Sequence, residues 1–110
     1  MDTVARYRQI VERLLTEYAN IPYALGEIQR QVVFDHENDR YLLMSVGWDD
    51  RRVHGCVMHL DIIDGKVWIQ CNNTDRDIAL ELVHAGIPRE HIVLGMHPPE
   101  LRQHTEYAVA

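Results

Sequence analysis

An Asp-Gly dipeptide at residues 64–65 separates two stretches of alternating side chains, and it limits the folds open to this chain. Asp-Gly in such a position is typical of the two-residue turn of a β-hairpin, because both turn positions favour positive φ. The sequence therefore predicts one strand from roughly Arg52 to Ile63 and another from Lys66 to Asn72. The turn also sets the register, in which Ile63 lies opposite Lys66 and His59 opposite Gln70.

This register divides the side chains of the hairpin between two faces. One face is apolar and is expected to belong to the core, and its members are Cys56, Met58, Leu60, Ile62, Val67, Ile69 and Cys71. The opposite face holds Val57, His59, Asp61, Ile63, Lys66, Trp68 and Gln70. A tryptophan among polar groups is typical of a protein interface. We expect this second face to be covered either by the protein's own helices or by a partner, a second copy of the chain included.

The remaining elements follow from changes in hydrophobic period. A stripe from Val4 to Tyr18 at three- and four-residue steps predicts an amphipathic helix, which Pro22 is expected to end. Residues 27–35 and 41–49 read as two further strands, the second central and covered on both faces. A helix stopped by Gly86, a short apolar segment and a helical turn at 99–104 complete the chain.

The fold class predicted from these elements is α+β. Four strands joined by short turns make an antiparallel meander sheet, packed with an N-terminal helix and C-terminal helices. A length of 110 residues suits one hydrophobic core, so residues 1–110 are expected to form a single domain.

The hairpin also raises the question of a metal site, because two histidines and two cysteines lie close in sequence. The predicted register places His59 and Asp61 on the face opposite to both cysteines. Only His54 shares the side of Cys56 and Cys71, which leaves three ligands where tetrahedral zinc usually has four. We therefore predict no metal and no cofactor.

A catalytic site is equally unsupported by the motifs. Asp64-Gly65-Lys66 faintly resembles half of a metal-dependent nuclease motif, but the turn already explains its glycine. The other histidines lack ligand spacing, and neither a nucleophile elbow nor a phosphate-binding loop is present. We predict that the protein is not an enzyme. The alternative is a metal-dependent nuclease or hydrolase that uses Asp61, Asp64, Lys66 or the histidines.

Charge points to protein partners rather than to nucleic acid. The formal net charge is −6, and the arginines stand beside acids instead of clustering as a DNA-binding surface requires. The N-terminus reads as neither a signal peptide nor a membrane span, so we expect a cytoplasmic protein. The last five residues are unusually apolar for a chain end and are expected to dock on the core or to contact another chain. The predicted partner interface comprises Val57, His59, Asp61, Ile63, Trp68, Gln70, Tyr107 and Val109.

Three segments carry a resemblance to a known family. YRQIVERLLTEYANIPYALGEI, YLLMSVGWDDRRVHGCVMHLDIIDGKVWIQ and ELVHAGIPREHIVLGMHPPELRQHTEYAVA, in this order, resemble the XisI family of fdxN-element excision controlling factors from filamentous nitrogen-fixing cyanobacteria. The resemblance implies a regulatory factor for programmed DNA excision during heterocyst differentiation, acting with a XisH-like partner while a separate site-specific recombinase exchanges the strands. It implies no catalytic residues and only indirect contact with the recombinase–DNA complex. We also expect a homo-oligomer, and we keep open a partner-neutralising binding module unrelated to excision.

Overall fold

The computed structural model describes residues 2–21 and 27–110 of the chain. Within them, no helix is long and apolar enough to cross a membrane. A 3-10 turn at Arg89–His91 precedes the last strand. The helices and strands, in chain order, are α1 (Thr3–Ala19), β1 (Glu27–Asp35), β2 (Arg40–Asp49), β3 (Arg51–Ile63), β4 (Lys66–Asn72), α2 (Ile78–Ala85), β5 (Ile92–Leu94) and α3 (Pro99–Arg102).

Helix α1 confirms the predicted amphipathic helix. Its N-cap is Asp2, whose carboxylate accepts a hydrogen bond from the backbone N–H of Val4 at 3.2 Å. The helix ends at Ala19, while Pro22, the predicted stop, lies outside the described residues. One face of the helix is buried through Tyr7, Val11, Leu15 and Tyr18.

The sheet has five strands in the order β1-β2-β3-β4-β5, so the predicted four-stranded antiparallel meander was wrong in strand number and in type. Strands β1 to β4 do form an antiparallel meander. Strand β5 is added in parallel to β4, with Val67 opposite Ile92. Helix α2 supplies the crossover that a parallel pair requires. Three apolar residues were too short a segment to be recognised as a strand from their periodicity.

Two irregularities in the pairing shift the predicted faces. The hairpin register holds from Ile63 opposite Lys66 to Leu60 opposite Ile69, and then an extra residue, Gln70, places Cys71 opposite His59. A second irregularity, between β2 and β3, leaves Val57 as the extra residue. Because a β-bulge reverses the alternation of every residue beyond it, parity counted from the turn fails at these points.

The two faces of the sheet are packed differently. We call the side that lies against α1 and α2 the core face, and its buried strand residues are Tyr41, Leu43, Met58, Leu60, Ile62, Val67 and Ile69. The opposite side is the outer face, which has no helix of the length of α1 or α2 upon it. Burial of each large apolar side chain stabilises the fold by roughly 1.5–3 kcal/mol, so this one core holds sheet and helices together.

A polar contact fixes α1 to the turn between β1 and β2. The Arg8 guanidinium donates two hydrogen bonds to the Asp39 carboxylate, from Nε at 2.7 Å and from Nη2 at 3.0 Å. The Tyr41 hydroxyl donates a third at 2.9 Å. These bonds, chiefly that from Arg8, lower the pKa of Asp39. Asp39 also has a φ of 52°, a left-handed conformation that Asp and Asn tolerate better than most residues.

We expect Asp39→Asn to lower the free energy of unfolding by about 1–2 kcal/mol at neutral pH, because it weakens charge-assisted hydrogen bonds while tolerating the positive φ. Since the native pKa of Asp39 is depressed, its contribution is complete above about pH 4 and is lost as the pH falls through the native value. The difference from wild type should therefore shrink in acid, which urea unfolding at several pH values measures.

Asp64→Asn is the matched control for this change. Asp64 also has a positive φ, 51°, but it lies in an exposed turn, and no described residue hydrogen-bonds its side chain. Its substitution should alter stability by less than about 0.5 kcal/mol. Equal losses in both variants would contradict the role assigned to the Arg8 contact.

Candidate partner interface

Asp61, His59 and Gln70 form a hydrogen-bonded cluster on the outer face. His59 Nε2 lies 2.8 Å from Asp61 Oδ1, and Gln70 Nε2 donates to Asp61 Oδ2 at 3.3 Å. Asp61 is only 8% exposed. The two hydrogen bonds give each oxygen of this buried carboxylate a partner within the chain, which offsets the cost of removing the group from water.

Trp68 is covered in part by the C-terminal segment of its own chain. The Arg102 guanidinium lies over the Trp68 ring, 5.0 Å from its centroid, which is cation–π geometry. Gly95 approaches so closely that a Cβ there would stand 3.1 Å from Trp68 and 2.6 Å from Gln70. The sequence left open whether this tryptophan is covered by the protein itself or by a partner. The structure shows cover that the protein itself supplies.

The other predicted interface residues lie in different environments. Val57 packs against the core rather than on the outer face, because the bulge in β3 turns it to the other side. Tyr107 also packs against the core, where burial raises its pKa. Ile63 and Val109 are exposed. Binding of a partner by any of these residues stays a prediction.

The tail of the chain docks on the sheet, which is one of the two outcomes expected for it. Ala108 forms a bridge with Val93 of β5, and its N–H donates to the Ile92 carbonyl at 2.9 Å. Lys66 Nζ donates to the Ala110 carbonyl at 2.5 Å. The apolar tail therefore extends the sheet past β5.

Cys56 and Cys71 do not belong to the core, and their predicted placement there was wrong. The two bulges put Cys56 opposite Met44 and Cys71 opposite His59, so both lie on the outer face, half-buried and in the thiol form. Burial, and then the neighbouring Cys71, raise the pKa of Cys56. A raised pKa keeps this sulfur protonated and makes it a poor nucleophile.

The rest of the outer face carries an apolar surface that no described helix covers. We call this surface the Trp48 patch. Trp48 is 58% exposed and Val33 47%, and the side chains between them are partly buried. The members of the patch are Val33, Leu42, Met44, Val46 and Trp48.

Trp48 stands near the end of a projecting part of the sheet. Strand β4 pairs only with the Met58–Ile63 half of β3, so the other half of β3 continues beside β2 and β1 alone. The Arg52 guanidinium lies 5.4 Å from the Trp48 ring centroid. On β1, the residue opposite Trp48 is Glu27. A large aromatic ring rimmed by opposite charges is typical of an interface anchor.

Sequence reasoning missed this patch although its signal was visible. Leu42, Met44, Val46 and Trp48 alternate strictly along β2, and the apolar residues between them led to the prediction that β2 is covered on both faces. The structure covers only the Tyr41 and Leu43 side fully. The two longer helices of the described residues, α1 and α2, both pack on that side, and the sequence alone did not show which face α1 would cover.

The described residues offer little to bind a metal or an anion. No group of three or more His, Cys, Asp or Glu side chains among residues 2–21 and 27–110 is placed to hold a metal ion. A groove of about 700 Å³ between α1 and α2 is lined by Arg6 and Arg13 but also by Glu17 and Glu81. The positive and negative charges that line the groove offset one another, and Glu81 is already paired with Arg76 at 2.6 Å.

These features define a class: an α+β protein with its two longer helices on one face of a mixed sheet and an apolar, partly open second face. Within that class the family is shown directly, since the family model described as XisI protein matches residues 1–109. The chain therefore belongs to the XisI family, and the resemblance seen in the sequence is confirmed.

Two solved structures are similar over almost the whole chain. One is a crystal structure of a XisI-like protein from Anabaena variabilis, with 45% identity, 99% of this chain and 100% of that chain covered, and a TM-score of 0.90. The other is the fdxN element excision controlling factor XisI from the same organism, with 33% identity, the same coverage and a TM-score of 0.85. A comparison with curated proteins gives no match.

The two tryptophans should respond differently to truncation. We expect Trp68→Ala to lower the free energy of unfolding by about 2 kcal/mol, less than the loss of a fully buried ring, because it removes contacts with Arg102 and Gly95. Trp48→Ala should change stability by less than about 1 kcal/mol, since most of its ring is exposed. Urea unfolding followed by circular dichroism measures both. A larger loss for Trp48→Ala would show that this ring is structural.

Proposed function

We propose that this protein is a non-enzymatic accessory factor in programmed excision of a DNA element, acting through contact with a XisH-like protein. The Trp48 patch is the proposed contact surface. The proposal includes self-association of the chain and indirect contact with a recombinase–DNA complex. Its biological setting would be excision of the fdxN element or of a related element during heterocyst differentiation.

Family membership supports the excision role. A relative with 33% identity, aligned over 99% of this chain, is named an fdxN element excision controlling factor. The TM-score of 0.85 shows that this relative shares the fold over the whole domain. The word "controlling" in that name describes regulation and does not describe strand exchange itself.

The surface chemistry supports a protein partner. The Trp48 patch places an aromatic ring and aliphatic side chains together, which is the composition that interface centres favour. Arg52 and Glu27 flank the ring and supply the polar rim. This patch is the single observation that carries the choice of a binding role.

Charge argues against direct, independent binding to DNA. Neutralising several phosphates requires clustered Lys and Arg, whereas this chain has 17 acidic and 11 basic residues. The arginines at 51 and 52 follow directly after the aspartates at 49 and 50. Contact with DNA would therefore depend on the partner.

Two candidate catalytic groups of the nuclease alternative, Asp61 and Lys66, are occupied by structural contacts. Asp61 accepts from His59 and Gln70, and Lys66 donates to the chain end. A catalytic carboxylate that binds a divalent ion needs free oxygens directed at the ion. These contacts favour the non-enzymatic role.

We expect purified protein to form a stoichiometric complex with a XisH-like protein when the two are coexpressed. Trp48→Ser should reduce the amount of copurified partner by about tenfold or more, because loss of one anchor commonly costs 2 kcal/mol or more of binding free energy. Affinity purification with quantified band intensities measures this loss.

Ile21→Ser is the matched control, since Ile21 is also an exposed apolar residue but follows α1 on the core-face side. It should leave the complex intact. Absence of a complex across a range of salt concentrations would refute the partner. A complex indifferent to Trp48→Ser would refute the surface while leaving the partner in place.

The non-enzymatic role has its own test. Purified protein should not cleave DNA in Mg²⁺ or Mn²⁺, whereas a nuclease would show activity that Asp61→Ala or Lys66→Ala removes. The control is a mock preparation from cells that lack the gene. Divalent-dependent cleavage that disappears in the Asp61 variant would overturn the proposal.

A further inference from the structure

Strand β1 is the open edge of the sheet. It is nine residues long and pairs with β2 along its whole length, but no described strand or loop pairs with its other side. Every second residue of an edge strand directs its backbone N–H and C=O away from the sheet. Those groups are available to another strand.

The opposite edge of the sheet is protected. Strand β5 has only three residues, and Ala108 bridges its Val93 on the far side. Native proteins commonly protect edges in such ways, by shortening the strand or by covering it. Among residues 2–21 and 27–110, therefore, the β5 edge is covered and the β1 edge is left unpaired.

Strand β1 lacks most of the other devices that prevent edge pairing, although Arg30 places one charged side chain on its core-face side. Its sequence, EIQRQVVFD, contains no proline and no lysine, and its register with β2 is free of bulges. Val32 and Val33 are 37% and 47% exposed, on the core-face and outer-face sides respectively. A long, flat edge with exposed valines is the form that pairs readily with another strand.

We propose that β1 pairs with β1 of a second copy of this chain, antiparallel and about a two-fold axis at Gln31. Full overlap of Glu27–Asp35 with itself places Gln31 opposite Gln31, Gln29 opposite Val33 and Arg30 opposite Val32. All nine residues are then paired, which no other register achieves. The same register places Glu27 opposite Asp35 at each end of the overlap, where water and salt screen the repulsion between the two carboxylates.

A second copy fits this edge better than an unrelated strand would. The pairing needs only a two-fold axis, the commonest symmetry of soluble oligomers, and the same surface serves both partners. It joins two five-stranded sheets into one of ten strands, still within the usual size of an open sheet. The two Trp48 patches then lie on one continuous face, since Val33 adjoins the seam.

This dimer differs from one in which two outer faces stack. Stacking would bury the Trp48 patch, whereas edge pairing leaves the patch free for a partner. The inference does not rest on the excision role, because association is measured with the purified chain alone. An interface made mainly by one strand is small, so we expect a dissociation constant in the micromolar range or weaker, of order 10⁻⁶ M or above.

Disulfide trapping tests the pairing and its register. In a Cys56→Ser/Cys71→Ser background, Gln31→Cys should form covalent dimers with oxidised glutathione as the oxidant, with one disulfide formed per glutathione disulfide reduced to two thiols. Opposed Cβ atoms in an antiparallel pair are about 4.5–5.5 Å apart, close enough for a bond after small adjustment. Non-reducing gel electrophoresis measures the dimer fraction.

Gln29→Cys and Val33→Cys in the same background are the matched controls, since both lie on the same side of β1 as Gln31. Each would be about 14 Å from its own copy along the strand, four residues at about 3.4 Å, and should give about tenfold less dimer. Mixed together, these two variants should crosslink, because Gln29 lies opposite Val33. Circular dichroism confirms that each variant is folded.

Sedimentation velocity of the unmodified chain provides the independent measurement. Its dimer fraction should rise with concentration, and Gln31→Lys should weaken dimerisation by about tenfold because it places two like charges directly opposite each other at the two-fold axis. A monomer at all concentrations up to about 1 mM would overturn the proposal. So would a dimer that Trp48→Ala abolishes and Gln31→Lys does not, or equal trapping at all three positions.

Discussion

The packing of α1 across one face of the sheet is the contact on which the rest of the structure depends. Val11 and Leu15 are completely buried there, and Tyr7 and Tyr18 nearly so. One helix of 17 residues can cover only one face, and the shorter α2 lies on the same side and contacts it. The other face is left to the C-terminal segment, which reaches β4 and β5 but not β1 and β2. The Trp48 patch is therefore a consequence of where the helices pack.

The two β-bulges decide which side chains share the outer face. Without them, Cys56 and Cys71 would point into the core and Val57 would stand beside His59. With them, both thiols lie on the outer face, where Cys71 is opposite His59, and Val57 packs against the core. A bulge costs a local disruption of the ladder but re-aims the side chains beyond it, and it increases the twist of the strand. The cysteines and His59, which strand parity had placed on opposite faces, therefore lie on the same face.

The unequal edges of the sheet organise the proposed interactions. Ala108 in the tail protects β5, while no residue in the described part of the chain pairs with the free side of β1 over its nine residues. Edge pairing of two copies and partner binding on the outer face use different groups, backbone amides in the first case and apolar side chains in the second. Both could therefore occur together, and a dimer would present two Trp48 patches to a partner. Such bivalence increases avidity without any new contact, provided that the partner spans both patches.

Local patterns in the sequence determined the amphipathic helix from Val4 to Tyr18, the Asp64-Gly65 turn, the four longer strands and the family, because each depends on neighbours close along the chain. The tertiary structure alone decided the parallel addition of β5, since three residues carry no usable periodicity and the pairing spans the whole α2 crossover. It also decided the bulges, because no local signal in the sequence marks Val57 and Gln70 as the extra residues. Finally, the tertiary structure showed that Trp48, and not Trp68, is the exposed aromatic ring. Which tryptophan is covered depends on where residues 95–110 fold back, and that is a long-range contact.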